Sequence, residues 1–135
     1  MDRIQISRRN KRNILEVHMK FEMNGRTFEI KKVSENELWG DVGEHQKRNE
    51  NYFGRFRPYS QEIWLSNELS DEQLKYTLMH ELMHCYLWSY NCSFESLNEE
   101  DLCNLSANSH DIIHKIVENY FKYYKKSFID LIMEK

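Results

Sequence analysis

The chain has one proline and four glycines in 135 residues, too few for long flexible or polyproline linkers. Its three cysteines are an odd number and show no Cys-x-x-Cys spacing. That excludes a disulfide scaffold as the default and points to a reducing, cytoplasmic setting. No apolar run approaches the ~20 residues of a membrane helix, so no membrane partner is expected. Met1 to Gln5 lack the apolar run that follows the charge in a secretory signal. Basic charge is not in excess either: 19 Lys and Arg stand against 22 Asp and Glu, which argues against a nucleic-acid binder. What is present is 40% hydrophobic and 30% charged residues, enough for one domain, 1–135, with a core of its own.

The pattern changes period midway, from mainly β over 1–66 to mainly α over 70–135. Leu15, Val17, Met19, Phe21 and Met23 alternate with polar residues, as in a half-buried strand. Asn24-Gly25 then suits a type I′ turn, and Phe28, Ile30 and Val33 continue on a return strand. The spacing predicts a hairpin over roughly 14–33. Short strands are expected at Ile4 and Ile6, at 37–42, at 53–56 and at 61–65, with a polar surface turn over 43–52 and a bend at Pro58. Ser70 and Gln73 form a capping box for a helix over about 71–90 that is apolar on most of its circumference and so expected to be buried. Ser96 and Glu99 offer a second box for a long helix over about 99–126, with a kink near 106–109 and a further helical turn or two after it.

The first of these helices carries His80-Glu81-Leu82-Met83-His84, an H-E-x-x-H motif. Residues four apart on a helix are stacked neighbours, so two imidazoles can point at one zinc ion. Glu81, about 100° round from His80, is placed to act on a zinc-bound water as general base. With six His and 16 Glu, random ordering yields this motif in about 3% of such chains, so composition alone does not explain it. The bland reading is a pair of hydrogen-bonded core histidines.

A catalytic zinc takes a third protein ligand. Leu87 and Tyr90 stand where the metzincin extension would have Gly and His. The glutamates opening the next helix are the alternative. Glu100 is preferred, on a stripe with Cys103, Asn104, Ala107 and His114. Ala107, the only alanine, would let the two helices approach closely. Glu99 and then Cys103 are the other options.

Taken together, Ile63-Trp64-Leu65-Ser66, the capped helix with Thr77 to His84, and Glu100-x-x-Cys103-Asn104-x-x-Ala107 resemble the compact zinc metallopeptidases of the ImmA/IrrE and SprT-like kind. The resemblance covers roughly 54–110. In the ImmA/IrrE-like pattern the third ligand is a Glu three residues before an Ala-Asn pair, which Glu100 matches with Cys103 in place of the Ala. SprT-like proteins use a third His at a similar separation, absent here before His110, which favours the gluzincin type. The resemblance implies a zincin-like α+β fold, with a small twisted antiparallel or mixed sheet and an N-terminal hairpin packed on a central motif helix and a long C-terminal helix. It implies Zn2+ held by His80, His84 and Glu100, with Glu81 as base for peptide-bond hydrolysis. It implies a protein or peptide substrate added along the edge strand 61–66. Oxyanion donors or supporting residues would come from Asn104, His110, His114, Tyr59 and Tyr120. The hairpin 14–33 has no counterpart in that pattern.

Other features have plainer readings. His110-Asp111-Ile112-Ile113-His114 repeats the motif spacing but reads first as an exposed helix face. The basic run Ser7 to Arg12, with Arg55 and Arg57, reads as a solvated turn rather than a phosphate-binding patch. Tyr120, Phe121, Tyr123, Tyr124 and Phe128 read as helix packing, Cys85 as core, and His18 and His45 as uninvolved. A reading from another functional class is a zincin-like binding or regulatory module with a structural or vestigial zinc. It differs from the enzyme in having no use for Glu81.

Overall fold

The computed structural model describes residues 10–11, 14–15, 18–40, 53–92 and 98–133. Its elements are β1 (Asn10–Lys11), β2 (Ile14–Leu15), β3 (Met19–Met23), β4 (Arg26–Val33), α1 (Glu35–Trp39), β5 (Gly54–Arg57), β6 (Glu62–Ser66), α2 (Asp71–Ser89) and α3 (Glu99–Met133). The domain is α+β with a mixed four-stranded sheet in the order β3-β4-β6-β5. β4 and β6 run parallel, and both outer pairs are antiparallel.

The hairpin forms where expected but is shorter. Asn24 and Gly25 both take positive φ, 49° and 79°, as the tight turn requires. β3 starts only at Met19, while Ile14–Leu15 pairs with Asn10–Lys11 in a separate two-stranded ladder. The expected strand at Ile4 and Ile6, the turn at 43–52, His45 and the Ser96 cap lie outside the described residues. Residues 37–39, expected to begin a strand, belong instead to helix α1. Ser34 caps it by accepting from the Glu37 N–H at 3.2 Å, and Glu35 and Glu37 suit its first turn.

The capping box of α2 forms as expected, with Ser70 and Gln73 each satisfying the other's backbone N–H. Leu74, Leu78, Leu82 and Cys85 are buried against Ile63 and Leu65 of β6 and Phe21, Phe28 and Ile30 of the hairpin. Burial is one-sided, however. Tyr76 is 73% exposed and Met79 44%, so α2 separates a core from an open face rather than lying within a core. α3 is one continuous helix, capped by Asn98, whose side chain accepts from the Asp101 N–H at 2.7 Å. It packs through Ser109, Ile113, Ile116, Val117 and Tyr120. Ala107 is exposed and makes no close helix approach. Lys32 on β4 donates to the Tyr124 hydroxyl at 2.8 Å and ties α3 to the sheet.

β6 is a central strand, bonded on both sides, so residues 61–66 are not the edge expected to receive a substrate. On that side of the sheet the edge is β5.

Tyr120 is fully buried and its hydroxyl has no hydrogen-bond partner among the described residues. Tyr120→Phe removes that unpaired group and is expected to raise stability by about 1 kcal/mol, seen as a higher urea midpoint. Leu78→Ala should cost about 2–5 kcal/mol in the same measurement.

Candidate active site

α2 presents Tyr76, His80, His84 and Trp88 at four-residue spacing along one stripe, which forms one wall of a cleft of about 1630 Å³. The two imidazoles lie with centroids 5.0 Å apart and planes at 73°, and Tyr76 stacks on His80 at 6.4 Å. Both imidazoles are exposed, and among the described residues neither has a hydrogen-bond or ion-pair partner. His18 and His114 differ. Their ring nitrogens are engaged by Glu29 at 2.8 Å and Glu118 at 3.0 Å.

The opposite wall is β5. Ser66 N–H donates to the Phe53 carbonyl at 2.8 Å, and pairing continues from Gly54↔Leu65 to Arg57↔Glu62. Antiparallel alternation then turns the N–H and C=O groups of Gly54 and Phe56 away from β6. The Phe56 N–H so released is donated to the Glu81 carboxylate. Glu81 is otherwise buried, between α2 and β5. This approach needs Gly54. A Cβ there would stand 2.8 Å from Thr77 Cγ2, 2.9 Å from the Trp64 carbonyl oxygen and 3.2 Å from Glu81 Cγ.

Burial pushes the Glu81 pKa above its ordinary value, against the opposing pull of His84, His80 and the Phe56 N–H. A carboxylate shifted in that direction is a better proton acceptor near neutral pH.

The other sequence candidates fall elsewhere. Glu100, Cys103, Asn104 and His114 are exposed on α3, and no residue of α3 lines the cleft. The reason is helical phase. Ser109 on the buried stripe is nine residues after Glu100, or about 180° round at 100° per residue. Glu99 is also exposed and outside the cleft lining. His110 stacks on His114 at 5.6 Å on the exposed side of the same helix. Tyr59 is fully exposed and Tyr120 sits in the core, so neither reaches the cleft.

His80 and His84 therefore suit two positions of a metal ion, both nitrogen donors being accessible from one space. Among the described residues no group of three or more His, Cys, Asp or Glu comes together to complete it. The structure adds Tyr76, Trp88, Gly54, Phe56 and Arg26 to the cleft. A lone glycine in a strand signals close backbone approach, and the stripe from Tyr76 to Trp88 has helical spacing, so both signals were present in the sequence. Arg26 carries none.

The direction of the Glu81 shift gives a test in the metal-free chain. A raised folded-state pKa means the folded protein holds a proton that the unfolded chain releases near 4.5, so this site's stabilisation is complete below that pH and lost as pH rises through the folded pKa. Glu81→Gln keeps a neutral acceptor for the Phe56 N–H. In EDTA it should match the parent in urea stability at pH 4 and exceed it at pH 8.

No protein-family model, no curated protein and no solved structure matches this chain.

Proposed function

We propose that the chain is a zinc-dependent metallopeptidase with a compact zincin-like arrangement, acting through His80, His84 and Glu81. One observation carries this reading: two exposed imidazoles with no hydrogen-bond or ion-pair partner among the described residues stand beside a buried carboxylate of raised pKa, in a peptide-sized cleft whose other wall is a strand edge with outward backbone groups.

Each residue has a distinct task. His80 and His84 would hold the ion. A bound zinc supplies Lewis acidity, which acidifies water and polarises a carbonyl. Glu81 accepts a proton from the attacking water and returns it to the leaving amine. The Phe56 N–H and the contacts at Gly54 fix the Glu81 side chain for that transfer. An extended peptide would pair with the outward groups of Gly54 and the Phe56 carbonyl, adding a strand to β5. On this reading the substrate lies along 54–57 rather than 61–66. Glu100, the third ligand implied by the family resemblance, would join only through a different placement of the first turn of α3.

The second reading, a binding or regulatory module with a structural or vestigial zinc, is favoured by one fact: the described residues gather two ligands, not three. Metal content and peptide hydrolysis separate the two. The parent is expected to hold about one zinc per chain. Glu81→Gln should retain the metal and lose about 100-fold or more in hydrolysis. His84→Ala should lose both. Metal loss in Glu100→Ala would bring α3 into the site, and retention would leave it outside. Bound zinc with no hydrolysis across a broad peptide library would sink the enzyme reading.

A further inference from the structure

The hairpin that matches nothing in the family pattern reaches the cleft. Its turn residue Asn24 donates to the Ser89 carbonyl at 2.8 Å, which fastens the hairpin tip to the last turn of α2. Two residues on, the Arg26 guanidinium lies 4.3 Å over the Trp88 ring. That ring is held edge-on against Phe28 and Phe56, with centroids 6.1 and 6.0 Å away. Arg26 and Trp88 both line the cleft.

Arg26 makes no ion pair among the described residues. The other arginine of the lining, Arg55, donates to the Leu38 carbonyl at 3.1 Å. Stacking occupies one face of the Arg26 guanidinium and leaves its in-plane N–H donors for a planar acceptor. The geometry points to Arg26 as the anchor for a carboxylate on a peptide bound in this cleft. The inference rests on the cleft binding peptide, as proposed above.

The position relative to the motif limits where that carboxylate lies. Trp88 is four residues, about 6 Å of helix rise, beyond His84. An extended chain advances about 3.3 Å per residue. The carboxylate therefore falls within about two residues of the bond held at His80 and His84. It is either an acidic side chain or the free carboxyl terminus of the peptide. Carboxylate and guanidinium match bidentately, which gives orientation as well as affinity.

Binding is tested on the full chain carrying Glu81→Gln, in zinc, so that no probe is consumed. The probes are acetylated alanine pentapeptide amides with Glu or Gln at each position in turn, and the all-alanine pentapeptide as free acid and as amide. The readout is the NMR shift of the Trp88 indole N–H, assigned with Trp88→Phe. The expected result is about tenfold tighter binding of one Glu peptide than of its Gln twin. Arg26→Gln should erase that ratio while the chain stays folded at the assay temperature, and Arg26→Lys should keep part of it. A preference for the free acid over its amide, with no Glu preference, assigns the terminal carboxylate instead of a side chain. Equal binding of all charged and neutral probes, no binding of any probe, or an equal loss of every probe in Arg26→Gln would overturn the inference. Hydrolysis by the unmutated chain is scored separately. Arg26-dependent binding with no hydrolysis fails the peptidase reading alone, whereas hydrolysis indifferent to Arg26 and to peptide charge fails this inference alone.

Discussion

A carboxylate taken out of water needs a hydrogen-bond donor, and Glu81 draws its donor from the edge of a sheet. The Phe56 N–H is available to it because β5 is the last strand in the order β3-β4-β6-β5. A further strand that took this N–H into its own ladder would leave Glu81 buried without it, at a cost of order 1–3 kcal/mol, whereas pairing through Gly54 and the Phe56 carbonyl alone leaves it in place. Contact between helix and strand at this point also requires residue 54 to have no Cβ, since the obstructing Trp64 carbonyl belongs to the rigid neighbouring strand. One interaction thus couples the sheet order, a glycine and the burial of the motif's central residue.

The same helix serves two environments, and its composition is a compromise between them. Leu74, Leu78, Leu82 and Cys85 meet the core, while Tyr76, His80, His84 and Trp88 meet the cleft. Glu81 lies at the seam. The exposure of the two histidines bears on their chemistry. A buried imidazole is held by a partner that occupies a ring nitrogen, because an unpaired polar group in the interior is costly. His18, half-buried against Glu29, shows that arrangement. His80 and His84 have rings for neighbours and, among the described residues, no hydrogen-bond partner on their nitrogens. This removes the bland reading of core histidines.

What could be read from the sequence was what is local. Asn24-Gly25 sets its own turn, and Ser70 with Gln73 sets its own helix start, so both appear in the structure as the residues alone indicate. The two mistaken expectations near the sheet have different causes. Residues 34–39 hold a local signal that was overshadowed: Ser34 followed three residues on by Glu37 is a helix start, but Leu38-Trp39 resembled the apolar content of a strand. The central place of β6 has no local signal, since strand alternation reports which face is buried and says nothing about which strands lie alongside. Glu100, which lies outside the cleft, is a third case. Its distance from the buried stripe of α3 was available as arithmetic, since Ser109, Ile113, Ile116 and Tyr120 define the inward face and Glu100 lies opposite. Ala107 had suggested the wrong face, being small without being buried.

The hairpin carries a consequence for how the site is held. The last carbonyls of any helix lack partners within it, and α2 has no basic residue in its final turn. Asn24 satisfies one of those carbonyls, and the Arg26 cation lies over Trp88 near the negative end of the helix dipole. The hairpin tip therefore terminates the helix that carries His84 and closes the end of the cleft with the same few side chains. Any movement of the Asn24–Gly25 turn would displace Arg26 and release the Ser89 carbonyl together, so the cleft's far end and the C-terminal half of the motif helix are positioned as one unit. A segment foreign to the family pattern is in that sense part of the site's framework, and its contribution arises from the same cross-chain contacts, Asn24 to Ser89 and Arg26 to Trp88, that sequence spacing does not reveal.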